Sequence, residues 1–149
     1  MVAGAINGDI TLRGLDLNST QGDKKIVDAL KRFGADIDVN EGYIRCKKTN
    51  LRGIEIDVSD IPDTVPSLAV AAAFASGTTT IYGGERLRLK ESDRIESVVT
   101  NLKRLGVNVE EKSDGMVITG GRVRGAELLG FNDHRILMAF SIAALMAEG

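Results

Sequence analysis

Two stretches of this chain repeat one another about seventy residues apart, and that repetition restricts the fold more than any other feature. Lys25-Ile26-Val27-Asp28-Ala29-Leu30-Lys31-Arg32-Phe33-Gly34 resembles the run from Arg94-Ile95-Glu96 to Leu102-Lys103-Arg104-Leu105-Gly106. Ile26, Ala29, Leu30 and Phe33 fall at helical spacing, as do Ile95, Val98, Val99, Leu102 and Leu105. Each run predicts a helix with one buried stripe. Gly34 and Gly106 are suited to end them, since glycine accepts the left-handed backbone that closes a helix.

The segments that follow also match. Ala35-Asp36-Ile37-Asp38-Val39 and Val107-Asn108-Val109-Glu110-Glu111 alternate with period two and predict half-buried strands. Turn residues at Asn40-Glu41-Gly42 and Ser113-Asp114-Gly115 lead into the return strands Tyr43-Ile44-Arg45 and Met116-Val117-Ile118. Each unit closes with a strongly apolar run, 66–75 ending at Gly77 and 136–146 ending near Gly149. Helices apolar nearly all round are expected to be buried in a core. Thr78-Thr79-Thr80-Ile81 opens the second copy as Asp9-Ile10-Thr11-Leu12 opens the first.

The expected organisation is therefore one α/β unit twice over, at about 8–77 and about 78–149. The chain opens in strand-like sequence and stops at the end of an apolar helix. Both ends are expected to be cuts in something longer; the alternative is a complete two-repeat domain closed by dimerisation.

Composition narrows the function classes. The 149 residues carry a formal net charge of -2, which argues against a whole-surface nucleic-acid binder. No stretch approaches the ~20 apolar residues of a membrane span, and no secretory signal opens the chain. Cys46 is the single cysteine and His134 the single histidine. That excludes an internal disulfide or a multi-cysteine zinc site and weakens any His-based relay. The expectation is a cytoplasmic protein poor in side chains that bind a metal.

Three segments carry candidate chemistry. In Arg86-Leu87-Arg88-Leu89-Lys90-Glu91-Ser92-Asp93-Arg94, alternation predicts a strand with Arg86, Arg88 and Lys90 on one face and both leucines on the other. That comb of cations, beside a helix start, suits phosphate or carboxylate, and Glu91 among them suits proton transfer. The plainer reading is a solvated edge strand with a helix cap. In Phe131-Asn132-Asp133-His134-Arg135, Arg135 has the fork geometry for an anion. Asp133 or Asn132 could equally be a helix cap, and His134 a structural imidazole. Ser59-Asp60-Ile61-Pro62-Asp63-Thr64-Val65-Pro66 holds the equivalent place in the first unit, with Asp63 either an N-cap or a functional carboxylate. Side-by-side packing of the units would gather Asp63, Glu91 and Arg135 at helix N-termini on one face.

Taken in order, Ile61-Pro62-Asp63, Leu89-Lys90-Glu91-Ser92-Asp93-Arg94 and Asn132-Asp133-His134-Arg135 resemble the 5-enolpyruvylshikimate-3-phosphate synthase family. The likeness covers essentially the whole chain but only part of the C-terminal half of the family's longer sequence. It implies an α/β (α+β) fold of tandem βαβαββ units, the inside-out barrel of enolpyruvyl transferases. This chain would supply two of the three units of one lobe.

The resemblance implies transfer of the enolpyruvyl group of phosphoenolpyruvate to the 5-hydroxyl of shikimate 3-phosphate, with release of phosphate and with no metal or organic cofactor. That reaction belongs to the shikimate pathway toward chorismate and the aromatic amino acids, and it is the target of glyphosate. Asp63 matches a general-base candidate near the 5-hydroxyl. Glu91 matches the glutamate that handles protons at the methylene. Lys90 matches a contact to shikimate 3-phosphate, and Arg94 and Arg135 match arginines that hold phosphoenolpyruvate. His134 is supporting, and Arg86 falls where many members have a different residue.

The opposing N-terminal lobe is missing, as is a family lysine beyond the last motif, so the isolated chain is expected to be inactive. Two other readings stay open. One is a fragment of UDP-N-acetylglucosamine enolpyruvyl transferase, and the other a non-catalytic anion-binding module.

Overall fold

The computed structural model describes residues 1–16 and 18–149. Helix α1 (Val2–Asn7) leads into strand β1 (Asp9–Arg13). A 3-10 turn, Gly22–Lys25, opens α2 (Ile26–Arg32), followed by β2 (Asp36–Asn40), β3 (Tyr43–Lys47) and β4 (Glu55–Asp57). A second 3-10 turn, Pro62–Thr64, runs into α3 (Val65–Ala73). Then come β5 (Thr78–Tyr82), a third 3-10 turn (Glu85–Leu89), α4 (Arg94–Arg104), β6 (Asn108–Lys112), β7 (Gly115–Thr119) and α5 (His134–Met146).

A shift of 72 residues carries β2 onto β6, β3 onto β7, Gly34 onto Gly106 and Gly77 onto Gly149. The isolated bridge between Arg52 and Ser76 maps by the same shift onto that between Arg124 and Glu148. Gly34 (φ 88°) and Gly106 (φ 76°) both take the left-handed conformation that the helix ends require.

The strands form two sheets. One is antiparallel, in the order β1-β3-β2, and the other runs β4-β5-β7-β6, antiparallel except for a parallel β4–β5 pair. Strand β4 thus leaves the segment that resembles the first copy and adds to the sheet of the second. The alternation of β3 turns Ile44 and Cys46 inward, and Met116 and Ile118 do the same in β7. Helix α1 packs on β3 and α3 on β7, while α1, α3 and α5 touch one another. No helix among the described residues is long and apolar enough to cross a membrane.

The structure corrects three expectations. The start of the chain is helix, not strand. Its six residues are too few to show a helical period, and Val2, Ala5 and Ile6 are buried against the central helices. The expected strand over Arg86–Lys90 is the 3-10 turn Glu85–Leu89. At three residues per turn Arg86 lies below Leu89, so Leu87 is buried while Leu89 is 88% exposed. The two leucines do not share a face, and the comb of cations dissolves. Finally, α3 is buried nearly all round, but α5 leaves Leu137, Met138 and Leu145 exposed. Helices α1, α3 and α4 cover one side of α5 and leave this outer stripe bare.

Candidate active site

Helices α3, α4 and α5 carry polar residues at their N-terminal ends. Asp63 lies in the 3-10 turn that enters α3, Glu91 just before α4, and Arg135 in the first turn of α5. Asp63 and Glu91 meet at Arg94, the first residue of α4, whose side chain is 1% exposed, and Arg135 joins them through Asp63. Its Nε donates to Asp133 Oδ2 at 2.8 Å, its Nη1 to Asp63 Oδ1 at 2.7 Å and its Nη2 to Glu91 Oε2 at 2.6 Å. A longer contact of 3.4 Å joins Nη2 to Asp133 Oδ1. A buried guanidinium must be paired to be tolerated, and three carboxylates from three chain segments do this.

Asp63 is shared among the cations. Lys90 Nζ lies 3.1 Å from its Oδ1, and Arg135 Nη2 donates to its Oδ2 at 3.4 Å. Arg135 also faces Asp23 at 3.6 Å. Burial pushes the Asp63 carboxyl up, but the ammonium of Lys90 and the guanidiniums of Arg135 and Arg94 outweigh it. The net result lies below the usual carboxylate value.

Asp133 is completely buried and joins two of the three motifs. Besides Arg94, it accepts from Ser92 Oγ at 3.1 Å and from the backbone N–H of Arg135 at 2.9 Å. It is therefore the N-cap of α5 as well as a partner of α4. Burial raises its carboxyl pKa, and the Arg94 hydrogen bond with the Arg135 N–H lowers it further than that. The turn before it is strained: Phe131 (φ 51°) and Asn132 (φ 52°) are both left-handed. Such residues cost about 1–3 kcal/mol each and gather at functional sites. Here the turn is fixed by Asp133 N–H to Gly130 O at 3.0 Å. Its approach is anchored by the buried amide of Asn101, which bonds both backbone groups of Leu129 at 2.9 Å.

The remaining candidates stand apart. Arg86 is exposed and makes no ion pair among the described residues. Arg88, expected beside it, turns to Asp93 at 2.8 Å and Glu111 at 2.9 Å. His134 is exposed at the first position of α5. Asp93 caps α4 through the N–H groups of Ile95 and Glu96, as the plainer reading expected. Sequence reasoning missed Asp23 and saw in Asp133 only a cap. Both act across chain separations that a local pattern does not report.

The lowered carboxyls of Asp63 and Asp133 fix the sign of one prediction. A group depressed in the folded state stabilises above its unfolded pKa, about 3.9, and loses that contribution as pH falls through the folded value. Stability in urea is expected to be level near neutrality and to drop from about pH 4 downward. Asp133→Asn should flatten that drop, and an unchanged acid profile in this variant would contradict the assignment.

Chemically, the cluster sets ionised carboxylates against three cations at the mouths of three helices, an arrangement suited to proton transfer on an anionic ligand. The family model EPSP synthase (3-phosphoshikimate 1-carboxyvinyltransferase) matches residues 1–149. Curated relatives named 3-phosphoshikimate 1-carboxyvinyltransferase are 48% identical in Methanocaldococcus jannaschii and 45% in Methanococcus maripaludis. Each match covers 97% of this chain, which spans 34% of the length of those relatives. An EPSP synthase structure from Acinetobacter baumannii superposes with a TM-score of 0.89 at 32% identity, over 99% of this chain and 38% of that one. The enolpyruvyl transferase NikO from Streptomyces tendae shares the fold, with a TM-score of 0.74 at 18% identity over 99% of this chain and 35% of its own.

Proposed function

The chain belongs to the EPSP synthase family, and on that premise we propose that it forms one wall of a site for enolpyruvyl transfer from phosphoenolpyruvate to the 5-hydroxyl of shikimate 3-phosphate. The observation that supports this most is the convergence of Asp63, Glu91 and Asp133 on one buried guanidinium, with Lys90 and Arg135 on Asp63. The names of the relatives favour shikimate 3-phosphate over a uridine sugar as acceptor.

In this reading Glu91, once protonated, delivers its proton to the methylene carbon of phosphoenolpyruvate. The adjacent carbon becomes electrophilic, and the 5-hydroxyl oxygen attacks it while Asp63 takes the hydroxyl proton. The tetrahedral adduct then returns a proton from the methyl carbon to Glu91 as the carbon–oxygen bond to phosphate breaks. Lys90 holds the phosphate of the acceptor, and Arg94 and Arg135 orient the enolpyruvyl donor. His134 and Arg86 lie further out and assist at most at the rim. Residues 8–77 and 78–149 act as two repeat units of one lobe, in the cytoplasm, where a lone free thiol such as Cys46 is at home.

One wall cannot exclude water or align two substrates. The purified chain is therefore expected to release no phosphate above background when given both substrates. Steady turnover by the chain alone would refute the need for an opposing lobe.

A further inference from the structure

The candidate anion site is not electropositive as it stands. Around Arg94 the cations Lys90, Arg94 and Arg135 face four carboxylates, Asp23, Asp63, Glu91 and Asp133. Arg94 is 1% exposed, and each of its three nitrogens already donates to a carboxylate. An anion reaching this guanidinium must displace a carboxylate, and the three are not equally held. Asp133 is fully buried and has three donors. Asp63 is held by three cations. Among the described residues Glu91 pairs with Arg94 alone, and its side chain is 51% exposed.

We propose that Glu91 is an internal placeholder: in the empty site its carboxylate occupies the Nη2 corner of Arg94, and an anionic ligand binds by evicting it. This inference rests on the functional reading above and deepens it. The ligand's carboxylate or phosphate takes over the Nη2 donor, so the guanidinium is never left unpaired. The evicted Glu91 swings free of Arg94, beside the ligand that replaced it. Binding and the freeing of a proton-handling group become one event. The cost is weakened affinity, because ligand and Glu91 compete for the same donor.

Titration calorimetry of the full chain with phosphoenolpyruvate tests this on wild type, Glu91→Gln, Glu91→Asp and Glu96→Gln. Glu96 lies in the first turn of the same helix, exposed and outside the cluster, so its variant repeats the charge change without the contact. The expected result is roughly tenfold or greater tightening in Glu91→Gln, against at most about twofold in Glu96→Gln. Glu91→Asp keeps the charge but shortens the reach, and should also tighten binding. Equal changes in the two glutamine variants, or weaker binding in Glu91→Gln, would overturn the placeholder and leave the site intact. Four folded chains that all fail to bind would overturn the anion site itself.

Discussion

Asp133→Ala lowers the free energy of unfolding by about 3–5 kcal/mol. The substitution leaves Arg94 buried with one face of its guanidinium unpaired, and it removes the cap of α5. The cap alone is worth about 1 kcal/mol. Asp133→Asn separates the parts, since asparagine caps a helix well but brings no charge to Arg94. Its loss should be smaller by roughly the value of the cap. In an Arg94→Met background, Asp133→Ala should cost only about 1 kcal/mol, leaving a coupling of about 2–4 kcal/mol between the two residues. Urea melts read this as a shift of midpoint at constant slope. Additive losses in the double variant would mean that the buried pair does not act as a unit.

The largest catalytic effect is expected at Asp63, the proposed base. In a chimera in which this chain replaces the matching third of the Methanocaldococcus jannaschii relative, Asp63→Asn should lower kcat by roughly a hundredfold to ten-thousandfold. Asparagine keeps the size and an acceptor oxygen for Lys90 and Arg94, turns its NH2 toward the long Arg135 contact, and cannot take a proton from a hydroxyl. Arg135→Ala should act mainly on KM for phosphoenolpyruvate, because it removes binding present in both ground and transition states. A chimera whose kcat is untouched by Asp63→Asn would assign the base elsewhere.

Local chemistry made the repeat legible. The helical spacing of Ile95, Val98 and Leu102, the glycines at 34 and 106 and the alternation around Val109 each reflect a contact within a few residues. The same locality explains what stayed hidden. The alternating arginines and leucines of 86–89 suit a strand, yet the three-residue turn there buries Leu87 and sends Leu89 to solvent. Only the tertiary setting discriminates between the two. Helix α1 owes its form to packing against α3 and α5. The motifs brought Asp63, Glu91, Arg94 and Arg135 into view. That Arg94 is a buried hub, and that Asp133 ties it to α5, depends on contacts 31 and 39 positions apart.

Phosphate release by the chimera, with phosphoenolpyruvate and shikimate 3-phosphate both present, puts the proposed chemistry to its hardest trial. The expected result is multiple-turnover release that requires both substrates and is lost with Asp63→Asn. A folded chimera that binds both substrates yet releases no phosphate would contradict the account.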